Sequence, residues 1–483
     1  MKKSIWIKPA LWVSFLSVLI WIVSCAVNPV TGKREFMLLS DADEVQLGQQ
    51  SDPQVIATYG LYDDAKISQF ITAKGKQMAA ISHRPQLDYQ FRVLDTPVIN
   101  AFAVPGGFVY FTRGILAYLN NEAEVAGVLG HEIGHITARH SAKQYSRSQL
   151  AMLGLGVGVA ISEDFGRFAG LAQSGLGLLF LRFGRDAERE SDELGVEYST
   201  KIGYDAREMA NFFETLDRMT PGEEGGLPGW FSTHPASSER VGNVLQLAAT
   251  AQQNLNPAQL KVNRDSYLDM IEGLVYGDDP KSGYVEGNMF YHPDLRFQFP
   301  IPAEWKAINT PSQVQVISSD QKAVVMLSLV SGTTPADAAA KFQTDAGAQV
   351  IRSGDADVNG FPARTMISDV QGQQGVLRVV SYFIAYESNV YVFHGISAQA
   401  SFADYQASLE SVMKGFKKLT DSSKINVKPD RIRVKKITRS MTLRDALLSF
   451  GTPDSKLEEL SLINGVNLTE TLPAGTRVKT IGK

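Results

Sequence analysis

The sequence predicts a multidomain α+β protein: a mainly helical first domain with a small edge-strand sheet, then an antiparallel-sheet α+β domain, then a small β-α-α-β module. Three changes of texture predict this order. Apolar residues recur near a 3.6-residue period in the first half, as at Val125, Val128, Leu129, Ile133 and Ile136. They alternate like strands after the turn-rich linker Gly277-Asp278-Asp279-Pro280-Lys281-Ser282-Gly283. Beyond a second linker at 422–430, two short helical segments lie before a closing strand. At 483 residues the chain is too long for one typical domain.

The first element is a leader. Lys2, Lys3 and Lys8 precede an apolar run, Ala10 to Ser24, that is short for a membrane span. It ends Ile22-Val23-Ser24-Cys25, which resembles a bacterial lipobox. Residues 1–24 are therefore expected to be a lipoprotein signal peptide, with lipid carried on Cys25. Cys25 is the only cysteine, which excludes an internal disulfide. Ala26 follows it rather than aspartate, implying a lipid anchor at the Gram-negative outer membrane, periplasmic face. Removing the three leader lysines takes the formal charge from −4 to −7, which argues against nucleic acid as a partner.

Helices are expected around Asp41 to Gln50 and Ser68 to Ile81. Alternation through Asn100 to Val104, then Pro105-Gly106-Gly107 and Phe108 to Thr112, predicts a hairpin. Asn121 to Glu124 reads as a capping box, and no proline interrupts the helical stretch from Glu122 to Lys143. That stretch contains His131-Glu132-Ile133-Gly134-His135, an H-E-x-x-H pattern. Two histidines four apart share a helix face and can reach one metal. Glu132 stands where a carboxylate can hold and deprotonate a water at that metal. Gly134, a poor helix former, leaves room for another segment to approach closely.

A structural zinc site takes four protein ligands, whereas a hydrolytic one keeps a position for water. A third ligand is expected in Arg185-Asp186-Ala187-Glu188-Arg189-Glu190-Ser191-Asp192-Glu193-Leu194-Gly195. Glu188 and Asp192 are also four apart. One can ligate, and the other can accept a hydrogen bond from a ligand imidazole. Glu190 and Glu193 compete for the ligand role, and on composition alone a solvated charged face is the usual meaning of such a run.

With both segments in view, HEIGHITARH followed by RDAERESDELG resembles the gluzincin zinc metallopeptidase family of HtpX and the CAAX prenyl endopeptidases. The resemblance implies one Zn²⁺ per chain on His131, His135 and Glu188, Glu132 as general base, and Asp192 orienting the first histidine. It also implies that the strand Asn100, Ala101, Phe102, Ala103 binds the substrate backbone by strand addition. Ser232-Thr233-His234-Pro235, with Arg240 beyond, resembles an element of the secreted lipoprotein branch similar to LoiP and BepA. His234 and Arg240 are then expected near the zinc. A donor there could stabilise an oxyanion, and His234 could instead fill the open zinc position at rest. The glycine-rich approach, 220–226, could make this loop a lid.

The apolar stretches 150–161 and 168–183 are each too short to span a bilayer and read as a buried helical hairpin. The peptidase domain is set at 25–275. A second domain, 285–420, carries strand-like runs at Leu295–Phe299, Val314–Ile317, Ala323–Val330 and Val376–Phe383. It carries helical runs at 336–346 and 402–416, and Phe299 to Trp305 resembles the start of PsbP- or Mog-like domains. His292 and His394 read there as structural. Residues 430–483 resemble a LysM-like module, with helices at 442–447 and 457–464, which implies peptidoglycan as a partner. The leading reading is a zinc metalloendopeptidase acting on misfolded or misassembled envelope proteins. A chaperone-like outer-membrane assembly factor and a peptidoglycan-tethered scaffold are the alternatives, and the intact Glu132 favours the enzyme.

Cys25→Ser is expected to abolish lipid attachment. Metabolic labelling with a fatty acid checks this, and equal label on parent and variant would defeat the lipobox reading.

Overall fold

The computed structural model describes residues 25–152, 183–219, 229–234, 239–372 and 375–483. The expected leader, the core of the apolar stretches, the glycine-rich approach to His234, and Pro235 lie outside the described residues. Two compact units divide the chain. One comprises 60–276 with 431–482 and the N-terminal residues up to 56, and the other is built on 277–430. Among the described residues, no helix is long and apolar enough to cross a membrane.

The first unit is mainly helical. Ser40 caps Asp41–Tyr59 with a full capping box, and Asp64 caps Ala65–Ala79. A three-stranded sheet follows. Ala101–Val104 and Phe108–Thr112 form the expected antiparallel hairpin, and Gln90–Leu94 pairs parallel with Phe108–Thr112. Ala101–Val104 is an edge of that sheet. The turn uses Gly106 and Gly107 at φ 85° and 103°, where an added Cβ on Gly106 would come within 2.7 Å of the Glu44 carbonyl oxygen.

The motif helix, Glu122–Thr137, opens at Asn121, whose side chain accepts from the Glu124 amide. It is shorter than its proline-free sequence suggests. Arg139 adopts φ 61° and a separate helix, His140–Met152, begins after it. The break is held by Glu44, which is buried and accepts from Arg139 Nε at 2.6 Å and from Arg84 Nη1 at 2.7 Å. A left-handed arginine is an uncommon conformation, and this ion pair fixes it in place.

In the second unit a seven-stranded antiparallel sheet has Ala323–Ser331 and Asn389–Ala398 near its centre and Gln349–Val358 at one edge. Helices Pro335–Asp345 and Phe402–Lys414 pack on it. His394 bonds Ser381 at 2.8 Å and stacks on Phe342, and the ring nitrogen of His292 accepts from the Leu295 amide, so both serve packing.

Residues 430–483 fold as strand, two helices, strand, with Asp430–Lys436 antiparallel to Arg477–Gly482. Val275–Tyr276 adds a third strand beside Asp430–Lys436, and Ile432, Leu447, Leu460 and Val478 join the same apolar core as the motif helix. Lys479 is fully buried, and its Nζ donates to the carbonyls of Ala117 and Leu119 at 2.7 and 2.8 Å. Those carbonyls close the short helix Arg113–Tyr118, whose last turn has no intrahelical donors for them. Lys479→Met strands them, at about 1–3 kcal/mol per buried acceptor. A lower urea midpoint for the full chain is the expected outcome, and an unchanged midpoint would refute this anchoring.

Candidate active site

Two helices build the site. The motif helix crosses Arg185–Lys201 at a distance set by glycines. A Cβ on Gly130 would stand 3.0 Å from the Gly195 Cα, one on Gly195 would stand 3.1 Å from the Gly127 carbonyl oxygen, and one on Gly134 would stand 3.1 Å from the Leu194 Cβ. The backbones therefore almost touch, and short carboxylates on one helix reach imidazoles on the other.

His131, His135, Glu188 and His234 each offer a donor atom, all lying within 4.8 Å of one another. The two histidine Nε2 atoms are 3.0 Å apart, and Glu188 oxygens lie 3.7 and 3.6 Å from them. His234 Nδ1 is 3.3 Å from His131 Nε2 and 3.0 Å from Glu188 Oε1. Bond lengths near 2.0–2.2 Å in a tetrahedron put donor atoms roughly 3.3–3.6 Å apart. The spacing thus fits a metal ion of zinc's size, with His234 at the fourth vertex. All four side chains are buried. The buried Glu132 Oε1 and His234 Nε2 have no hydrogen-bond partner among the described residues and face each other at 3.5 Å.

Outside this ring, Asp192 Oδ1 lies 2.9 Å from His131 Nδ1. Arg240 Nε and Nη2 donate to both Asp192 oxygens at 2.9 and 2.6 Å, and its Nη1 is 3.3 Å from Glu188. The guanidinium lies over the Phe213 ring at 4.0 Å. The competing acids point elsewhere: Glu190 bonds His140 at 3.1 Å, and Glu193 is exposed.

Burial pushes Glu132 up to about 8, against the opposing charges of His234 and Arg240. Burial, then the neighbouring imidazoles, holds His135 well below the ordinary histidine range, and burial also lowers His131. Burial raises Glu188, but the charge and hydrogen bond of His234, with His131 and Arg240, bring it below its ordinary value. Burial likewise opposes ionisation of Asp192, and Arg240 and His131 outweigh it. Neutral His131 and His135 and an ionised Glu188 are the forms that ligate a metal. His234 differs: burial lowers it, but the charges of Glu188 and Glu132 outweigh that and raise it above its ordinary value.

The expected substrate strand lies against this centre. Ala101–Val104 packs on the motif helix, and the Ile99 carbonyl accepts from the Trp230 amide at 2.9 Å. Trp230 stacks on His234 with ring centroids 4.4 Å apart. Asn100, Ala101 and Phe102 are buried and Ala103 is half-buried. Three neighbours went unrecognised in the sequence. Trp230 and Phe183 enclose the cluster, Phe183 stacking on His135 at 4.1 Å, and His140 faces His135 from behind. The tenth residue of HEIGHITARH was available as a signal for His140, but five residues from His135 it lies off that ring's helix face.

A glutamate beside a histidine-glutamate metal cluster on two crossed helices defines a metallopeptidase site. Residues 66–248 match the peptidase family M48, and that match agrees with a zinc metalloendopeptidase site. It is 33% identical over 183 residues to the mitochondrial metalloendopeptidase OMA1 of Arabidopsis thaliana, covering 37% of this chain and 35% of that protein. It is 26% identical over 256 residues to the beta-barrel assembly-enhancing protease of Escherichia coli, covering 50% of each. It is 28% identical over 216 residues to the metalloprotease YcaL of Escherichia coli, covering 43% of this chain and 80% of YcaL. The chain thus spans about a third to a half of the first two relatives. A solved cyanobacterial PsbP from Synechocystis matches 28% of this chain and 96% of its own at 14% identity and a TM-score of 0.24, too slight to assign a fold.

The purified protein is expected to hold about one zinc per chain, one tetrahedral donor set. His131→Ala, His135→Ala and Glu188→Ala should each lower occupancy strongly by elemental analysis. Glu188→Ala holding zinc as tightly as the parent would remove Glu188 from the ligand set.

Proposed function

We propose that this chain is a zinc-dependent endopeptidase of the bacterial envelope, lipid-anchored at the outer membrane through Cys25, that hydrolyses misfolded or misassembled envelope proteins. The observation that carries the catalytic part is Glu132: buried, with an unbonded carboxylate oxygen, beside a four-donor cluster of metal-site spacing. The relative named for beta-barrel assembly supports the envelope part, as does the lipobox-like sequence before Cys25. The strand-helix-helix-strand order of 430–483 supports a peptidoglycan-facing tail.

Zinc on His131, His135 and Glu188 would polarise the scissile carbonyl and acidify the attacking water. Glu132 takes the proton from that water and passes it to the leaving amine. Asp192, clamped by Arg240, keeps the proton of His131 on Nδ1 and its Nε2 aimed at the metal. The edge strand Ala101–Val104, with Asn100 just before it, orders the substrate backbone by strand addition, which tolerates varied sequences. His234 Nδ1, beside Glu188 and His131, would hold the fourth position on a bound zinc, the place the reacting water needs, and so restrain the resting enzyme.

Glu132→Gln keeps the shape and removes the base. Zinc content should persist while peptide hydrolysis falls by roughly two to four orders of magnitude, and clients trapped on this variant would name the substrate. Undiminished cleavage rules the mechanism out. His234→Ala should retain zinc and raise basal and self-cleavage. Slower turnover with zinc retained would assign His234 to oxyanion stabilisation instead.

A further inference from the structure

We propose that His140, with its proton set by Glu190, is a positioning residue for the second zinc ligand. The proposal rests on reading the cluster as a zinc site. His135 turns Nε2 toward the cluster, and its Nδ1 lies 3.0 Å from His140 Nδ1. The other nitrogen of His140, Nε2, is 3.1 Å from Glu190 Oε2. The rings meet edge to face at 5.0 Å, and His140 is buried.

The proton count follows from these contacts. A carboxylate only accepts, so His140 must carry its proton on Nε2 and donate it to Glu190. His140 Nδ1 is then a bare acceptor facing His135. An imidazole that ligates through Nε2 keeps its proton on Nδ1, and that proton points at this acceptor. Ser191 Oγ, 3.3 Å from His140 Nδ1, can donate to the same atom. The arrangement favours the ligating form of His135 and fixes the ring's rotation. It mirrors the Asp192–His131 contact, with a second imidazole inserted between ligand and carboxylate.

The backbone break makes this geometry available. On an unbroken helix a residue five positions on lies about 140° around the axis, away from the His135 face. Arg139, held at φ 61° by Glu44, turns the chain so that the first residue of the next helix returns to His135. Glu190 reaches His140 from the helix that also carries Glu188, so one helix supplies a ligand and the support of another ligand.

Zinc dissociation constants measured by chelator competition at fixed pH test this, with zinc-free thermal unfolding run alongside. His140→Leu and Glu190→Ala should weaken zinc binding about 10- to 100-fold with little change in zinc-free melting for Glu190→Ala, whose side chain is partly exposed. Glu190→Gln retains an oxygen that can accept from His140 and should recover part of the loss. If His140→Leu fails to fold, the two Glu190 variants decide alone. Affinities within about twofold of the parent for Glu190→Ala overturn the proposal, and Glu190→Gln as weak as Glu190→Ala overturns the proton assignment. A parent that binds no zinc, or His131→Ala binding as tightly as the parent, sinks the zinc reading itself.

Discussion

The near-contact of two helix backbones at Gly127, Gly130, Gly134 and Gly195 is the constraint on which the site depends. Glutamate and aspartate are short side chains. From a helix at the usual 8–10 Å interaxial distance their carboxylates would compete with water for the histidines. Brought closer by the missing Cβ atoms, Glu188 reaches both ligand histidines and Asp192 reaches the back of His131. Any side chain on Gly130 would press on the Gly195 backbone, which has no rotamer to yield.

Close packing also buries charge, and the surroundings show how that is tolerated. Arg240 answers two carboxylates at once and rests on Phe213, so neither acid is left alone. A buried pair of this kind adds little net stability, but removing one partner would leave an uncompensated charge at a cost of about 3–5 kcal/mol. What it supplies is a fixed ring orientation. The aromatic walls, Trp230 and Phe183, keep solvent from the imidazoles and strengthen every electrostatic contact inside.

The tail shares the same core. Its helices add Leu447, Leu460 and Ile463 to the cluster that holds Leu129 and Ile133, and Lys479 answers the carbonyls at the end of the helix preceding the motif helix. The catalytic unit is thus assembled from two sequence segments separated by the residues of the second unit. An element that looks like an appendage in the sequence contributes to the foundation of the motif helix.

Local pattern determined much of this. Histidines four apart on a capped helix face one way whatever surrounds them, and so do Glu188 and Asp192, because a turn of 3.6 residues is set by the backbone. The hairpin around Gly106 and Gly107 was equally legible, since few residues tolerate such turns. The leading family resemblance reached Glu188, His234 and Arg240, all of which stand at the cluster. Periodicity missed what depends on distant partners. The motif helix stops at Thr137 because Glu44, some ninety residues earlier in sequence, captures Arg139. His140 returns to His135 for that reason, and Lys479 meets Ala117 from 362 residues further along the chain. Sequence by itself determined which groups could ligate and which way each helix face points. Only the tertiary structure decided which faces meet, because that choice is made by glycine contacts and buried ion pairs between residues far apart in the chain.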